Sequence, residues 1–76
     1  MMHGYSQRLI EQNGQADGHL LGVQLGRACI KHRVPVSAVA REFKVSRQTV
    51  YNWFSGVSNP TVSLRAAVNA YLAKLP

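Results

Sequence analysis

The chain has 76 residues with a single cysteine, so one small domain without an internal disulfide is expected. No apolar run approaches the roughly 18 residues of a membrane span, and polar Met1–Gly18 lacks the apolar stretch of a signal peptide, so an intracellular protein with no membrane partner is expected. The net charge of +6 concentrates from His19 onward, where eight Lys and Arg stand against one acid, Glu42, a balance that attracts nucleic acid or an anionic membrane surface.

Residues 1–18 read as a polar tail punctuated by Gly4, Gly14 and Gly18. One short helix fits at Gln7–Asn13, with Ser6 as N-cap and Tyr5 and Ile10 as a hydrophobic staple. The segment holds little apolar surface to offset the entropy of ordering it, so its deletion is expected to leave the remainder unchanged. The domain proper is expected at 19–76. Its first firm helix spans about Leu20–His32, because Leu21, Leu25, Ala28 and Cys29 repeat at helical spacing. Gly22 and Gly26 weaken that helix but permit close approach of another. Pro35 restricts Val34 to extended geometry and ends the run.

A second helix is predicted from Pro35–Val36 to Phe43, with Val39, Ala40 and Phe43 inward. A break at Lys44-Val45-Ser46 follows. Ser46 is a natural N-cap for a third helix, Arg47–Ser55, and Gly56 stands where a left-handed residue ends it. Val57–Pro60 is a loop. The last helix runs from Thr61 or Val62 to Lys74, with Leu64, Val68, Tyr71, Leu72 and Leu75 on one stripe. The fold class is therefore all-α, a compact domain of four to five helices.

Two short helices joined by a three-residue turn form a helix-turn-helix. Ala40 is small where the helices cross, Val45 plugs the gap behind the turn, and Val50 and Trp53 anchor the third helix. Arg47, Gln48, Tyr51, Asn52 and Ser55 are left pointing outward. A helix of this width fits the major groove of duplex DNA. Arg matches guanine O6 and N7 with two donors, and Gln and Asn match adenine N6 and N7. Ser46 and the N–H groups at the helix start suit a phosphate.

The run Val45-Ser46-Arg47-Gln48-Thr49-Val50-Tyr51-Asn52-Trp53-Phe54-Ser55-Gly56, followed by Pro60, resembles the lambda-repressor-like (Cro and phage repressor) DNA-binding domains. Leu21, Leu25, Val39 and Ala40 fall at that family's core positions, and the likeness extends over about Leu20–Leu75. The resemblance implies base reading by Arg47, Gln48 and Asn52, with Tyr51 and Ser55 used less regularly. It also implies a sequence-specific transcriptional regulator of phage or prophage type, acting on double-stranded DNA in the bacterial cytoplasm and nucleoid. Two departures stand out. Lys44 occupies the turn position where the family has Gly, which costs about 1 kcal/mol if its φ is positive. Val36 stands where the family opens its second helix with a backbone-bracing Gln, which shifts that contact to Ser37. A looser similarity, carried by Val39-Ala40-Arg41-Glu42-Phe43 and Thr49-Val50-Tyr51, is to transposase and recombinase helix-turn-helix modules.

The expected backbone contacts are Ser37, Arg41, Lys44, Ser46, Ser55 and Arg65. The alternative reading is a phage-encoded module that docks on RNA polymerase or another regulator, or an antitoxin; such a helix needs an apolar anchor, for which only Tyr51 or Phe54 is available. Cys29 and His32, three apart, with His19 and His3, fall short of a four-ligand zinc site, so neither metal nor cofactor is expected. No catalytic constellation is apparent around Glu42 or Asp17. The apolar groups left unassigned, Val57, Ala70, Leu75, Tyr5, Leu9 and Ile10, make a small patch. A weak homodimer assembled on DNA is therefore expected.

Overall fold

The computed structural model describes residues 5–75, so His3 and the other residues of 1–4, and Pro76, lie outside it. The described residues form five helices and no strand: α1 (Gln7–Gln15), α2 (Leu21–Lys31), α3 (Val36–Phe43), α4 (Arg47–Ser55) and α5 (Val62–Lys74). The all-α reading holds, and none of these helices is long and apolar enough to cross a membrane.

α2 is the scaffold. Gly22, Val23, Leu25, Gly26 and Cys29 are buried along it, and its most extensive packing is on α4. The two glycines set that distance. A Cβ on Gly22 would fall 2.8 Å from Trp53 Cβ, and one on Gly26 would fall 2.8 Å from Phe54 Cγ. α2 has no side-chain cap of its own. Instead Asn59, from the loop after α4, accepts the Gly22 N–H at 2.8 Å and satisfies one of the free donors of the first turn.

Three helices end alike. After α2, Val34 N–H bonds Cys29 C=O at 2.9 Å; after α3, Val45 N–H bonds Ala40 C=O at 3.0 Å; after α4, Val57 N–H bonds Asn52 C=O at 2.9 Å. Each closure turns on one left-handed residue, Arg33 (φ 59°), Lys44 (φ 57°) and Gly56 (φ 82°), the geometry that ties off the last carbonyls of a helix. Lys44 and Gly56 match the sequence expectation, whereas Arg33 was not foreseen.

Leu9, Leu25, Cys29, Val39, Ala40, Phe43, Val50, Trp53, Phe54 and Val68 make the core. Phe43 joins its halves, edge-on to Trp53 at 6.1 Å and to Tyr71 at 5.4 Å, a favourable aromatic geometry. From α5 only Val68 is fully enclosed, and Leu64, Tyr71, Leu72 and Leu75 pack against the rim.

The polar-tail expectation for residues 1–18 is corrected for residues 5–16, which are packed onto the core. Ser6 caps α1 as expected, accepting the Leu9 N–H at 3.1 Å. Leu9 is then buried, the Tyr5 ring lies 6.1 Å from Phe54, and the Tyr5 hydroxyl donates to the Val34 carbonyl. The decisive anchor is polar. Asn13 is 3% exposed, and its Nδ2 donates to Phe54 C=O at 2.7 Å and to Val23 C=O at 3.2 Å. Phe54 C=O lies in the last turn of α4, where carbonyls lack helical partners. Arg27 closes the other end, its Nη2 reaching the carbonyls of Asn13, Gly14 and Ala16 at 3.3, 3.4 and 3.0 Å. Ordering entropy is thus offset by satisfied carbonyls as well as apolar burial. Ile10, expected to staple, is 37% exposed.

Candidate nucleic-acid interface

α4 is nine residues long, too short to be helical in isolation, so its neighbours hold it. Ser46 Oγ accepts the Thr49 N–H at 3.0 Å and lies 2.9 Å from Thr49 Oγ1. Val50, Trp53 and Phe54 are buried behind it. Trp53, 3% exposed and against Phe43, is a core residue with no free face for stacking. The opposite face of α4 carries Arg47, Gln48 and Tyr51, all exposed, with Asn52 and Ser55 half-buried beside them.

Two of these side chains are joined. Gln48 Nε2 donates to Asn52 Oδ1 at 3.0 Å, the pairing that helix residues four apart permit. The pair leaves the Gln48 carbonyl oxygen and the Asn52 amino group without another bond among the described residues, one acceptor and one donor. Ser55 Oγ donates back to Tyr51 C=O at 2.8 Å, so its proton is engaged within the helix.

Two shallow grooves flank this face. One, of about 370 Å³, is bordered by Ser37 at the start of α3 together with Arg47 and Tyr51. The other, of about 380 Å³, is bordered by Gln48, Tyr51, Asn52 and Ser55. The structure thus brings together Ser37 and every residue of the expected reading face. Arg41, Lys44 and Arg65 are exposed but border neither groove, and Ser46 is engaged as a cap. Sequence reasoning missed the far wall of both grooves, which is α1: Ser6 and Leu9 border each, and Arg8 and Gln12 border the second. The signal for it was the spacing of Ser6, Leu9 and Asn13, which marks a capped helix with one inward stripe.

The charge is unneutralised. Among the described residues the one ion pair is His19 with Asp17 at 3.1 Å, and no Lys or Arg pairs with an acid. The backbone N–H of His19 and its ring together hold the Asp17 carboxyl below the usual carboxylate range. Cys29 is enclosed, and burial pushes its thiol up to about 12, so it is a protonated core side chain without nucleophilic or ligating character. Burial, reinforced by Cys29, Tyr71 and Tyr51, raises the Tyr5 hydroxyl in the same direction. Among the described residues no three His, Cys, Asp or Glu side chains cluster as metal ligands would.

Comparison with protein-family models, curated proteins and solved structures returns no match.

Proposed function

We propose that the protein is a sequence-specific, double-stranded-DNA-binding regulator of transcription, of the phage or prophage Cro and repressor kind, which inserts α4 into the major groove. The observation that carries this reading is the outward face of α4: Arg47, Gln48, Tyr51 and Asn52 project from a helix whose back is locked in the core, within a surface where no Lys or Arg is ion-paired among the described residues. Arg47 suits guanine, and the Gln48–Asn52 pair suits an A·T step, with the Asn52 amino group donating and the Gln48 carbonyl accepting. Ser37, Arg41, Lys44, Ser46, Ser55 and Arg65 are the backbone-contacting candidates, and such contacts fix register rather than sequence.

One recognition helix reads few base pairs, so two copies on a palindrome are expected, with half-sites about one helical turn apart. Tyr5, Leu9 and Leu75 are unavailable for that contact because they pack on their own core. Ile10, Val57 and Val62, 37%, 74% and 83% exposed, remain with exposed Ala70, too little for a tight dimer in free solution.

Selection of bound sequences from a random duplex pool is the test. Enrichment of one motif is expected, and Arg47→Ala, Gln48→Ala and Asn52→Ala should each lose about 1–3 kcal/mol on it. The Gln48→Ala, Asn52→Ala double variant should lose less than the sum, because the two side chains are bonded. No enrichment, or full preference in all three single variants, would exclude the reading.

A further inference from the structure

α1 is seated by Leu9 and Asn13, one helical step of four apart. That seating sends the next pair, Arg8 and Gln12, along the flank nearest α4, where both border the groove that Gln48, Asn52 and Ser55 line from the other side. The acid of α1 is kept off this flank: Glu11 is paired with Gln7, whose Nε2 donates to it at 3.4 Å, and neither residue borders either of these two grooves. The charged residues lining the two grooves are Arg8 in one and Arg47 in the other, and no acid lines either.

The two arginines nearest α1 differ in what they do. Arg27 has its guanidinium on three backbone carbonyls at the C-terminal end of α1. Arg8 is exposed and makes no hydrogen bond or ion pair among the described residues. An unengaged guanidinium beside a helix that enters the major groove stands where the flanking sugar–phosphate strand runs, and its planar donors match phosphate oxygens.

We propose that α1 is a second DNA-contacting element, in which Arg8 and Gln12 bind the sugar–phosphate backbone of the strand bordering the major groove that α4 occupies. This rests on the DNA-binding reading above. The groove between α1 and α4 then holds the strand edge, and Asn13, bonded to the end of α4, keeps the two walls in register. Residues on α1 carry no sequence preference of their own; they fix the angle at which α4 meets the bases.

The test uses the full chain with Arg8→Ala, Arg8→Glu and Gln12→Ala, and Lys74→Ala as a cation control on α5, which packs on α2 rather than α1. Affinity for the selected site and for a random duplex is titrated over a salt series, and the thermal midpoint is recorded. Arg8→Ala should weaken both duplexes by the same factor and flatten the slope of log K against log salt by about 1. Arg8→Glu should weaken both further, and the midpoints should stay at the wild-type value. Lys74→Ala should change affinity and slope less than Arg8→Ala. A wild type that binds its site while the Arg8 variants keep its affinity and slope, or fall only as far as Lys74→Ala, overturns the proposal and leaves the DNA-binding reading intact. A wild type without affinity for any duplex removes the DNA-binding reading itself. Binding to an acidic protein that depends on Arg8, with no duplex affinity, assigns the groove to another partner and overturns both.

Discussion

Three glycines lie inside helices, and the structure separates them. Replacing Gly by Ala in a helix interior gains about 0.5–1 kcal/mol from backbone entropy alone. At Gly14, on α1, a new Cβ would meet nothing within 4 Å, so Gly14→Ala is expected to keep that gain. At Gly22 the Cβ would fall 2.8 Å from Trp53 Cβ and 2.9 Å from the Trp53 carbonyl oxygen, against the roughly 3.5–4.0 Å of a comfortable carbon contact. A backbone atom of a buried helix cannot swing aside, so α2 and α4 must part by nearly an ångström. Overpacking of this kind costs about 1–3 kcal/mol, which outweighs the entropy gain. At Gly26 the Cβ would fall 2.6 Å from Asn13 Nδ2 and displace an amide that bonds two carbonyls, each bond worth about 1 kcal/mol. Gly26→Ala is therefore expected to lose the most, about 2–3 kcal/mol net. Urea unfolding followed by far-ultraviolet circular dichroism measures all three. In a chain this short about 1 kcal/mol moves the thermal midpoint by roughly 4–8 °C, so the ordering is readily resolved. Gly22→Ala and Gly26→Ala as stable as wild type, or Gly14→Ala as damaging as either, would refute the close-crossing argument.

Deletion of residues 1–16 should lower the unfolding midpoint sharply, because it uncovers Phe54 and strips the Asn13 bonds from Val23 and Phe54; a truncated chain as stable as the whole would contradict the packing of α1. Lys44→Gly relieves a left-handed non-glycine residue (φ 57°), worth about 1–2 kcal/mol less the wider unfolded ensemble of Gly, so the variant should gain stability by roughly 0.5–1 kcal/mol while losing duplex affinity and about 1 in salt slope. A loss of stability would show that Lys44 is held by more than its backbone. Alkaline pH is the third lever: the Cys29 thiol is pushed up to about 12 by burial, so its contribution is whole below the unfolded thiol's value near 8.5 and declines as pH rises from there toward the folded value, by up to about 1.4 kcal/mol per pH unit. Cys29→Ala should flatten unfolding free energy between about pH 9 and 10, and an unchanged slope in that variant would count against the assignment.

The pieces legible in the sequence are those where one residue settles the local geometry. Ser46 as cap and Gly56 as left-handed stop give Arg47–Ser55, the observed bounds of α4. Ala40 and Val45, expected at the helix crossing and behind the turn, pack in or against the core. Lys44 is left-handed as its turn position required. The exposed face of α4 followed from the same bounds, since burial of Val50 and Trp53 leaves Arg47, Gln48 and Tyr51 outside. What was not legible depends on partners far along the chain. Asn13 reaches a carbonyl 41 residues away, and Asn59 caps a helix that begins 38 residues earlier. A polar side chain that satisfies a distant carbonyl has no periodicity, so a segment anchored by one reads as a tail. Arg33 was missed for a related reason: the tertiary docking of Val34 against the core, rather than the residue's own preference, selects its left-handed turn.

The position of the candidate reading face therefore rests on three separate attachments of one short helix. α2 holds α4 through the absence of side chains at Gly22 and Gly26, α3 approaches it at the turn after Ala40, and α1 holds its C-terminal end through Asn13. A helix of nine residues has no appreciable helicity without such contacts, so the order of Arg47, Gln48 and Asn52 is drawn from the same interactions that hold the domain together. Contacts to bases demand placement within about 0.5 Å, and a shift of α4 by nearly an ångström, as Gly22→Ala imposes, exceeds that while leaving the helix formed. Loss of sequence discrimination ahead of loss of helical signal is the consequence that joins the packing of this fold to the function proposed for it.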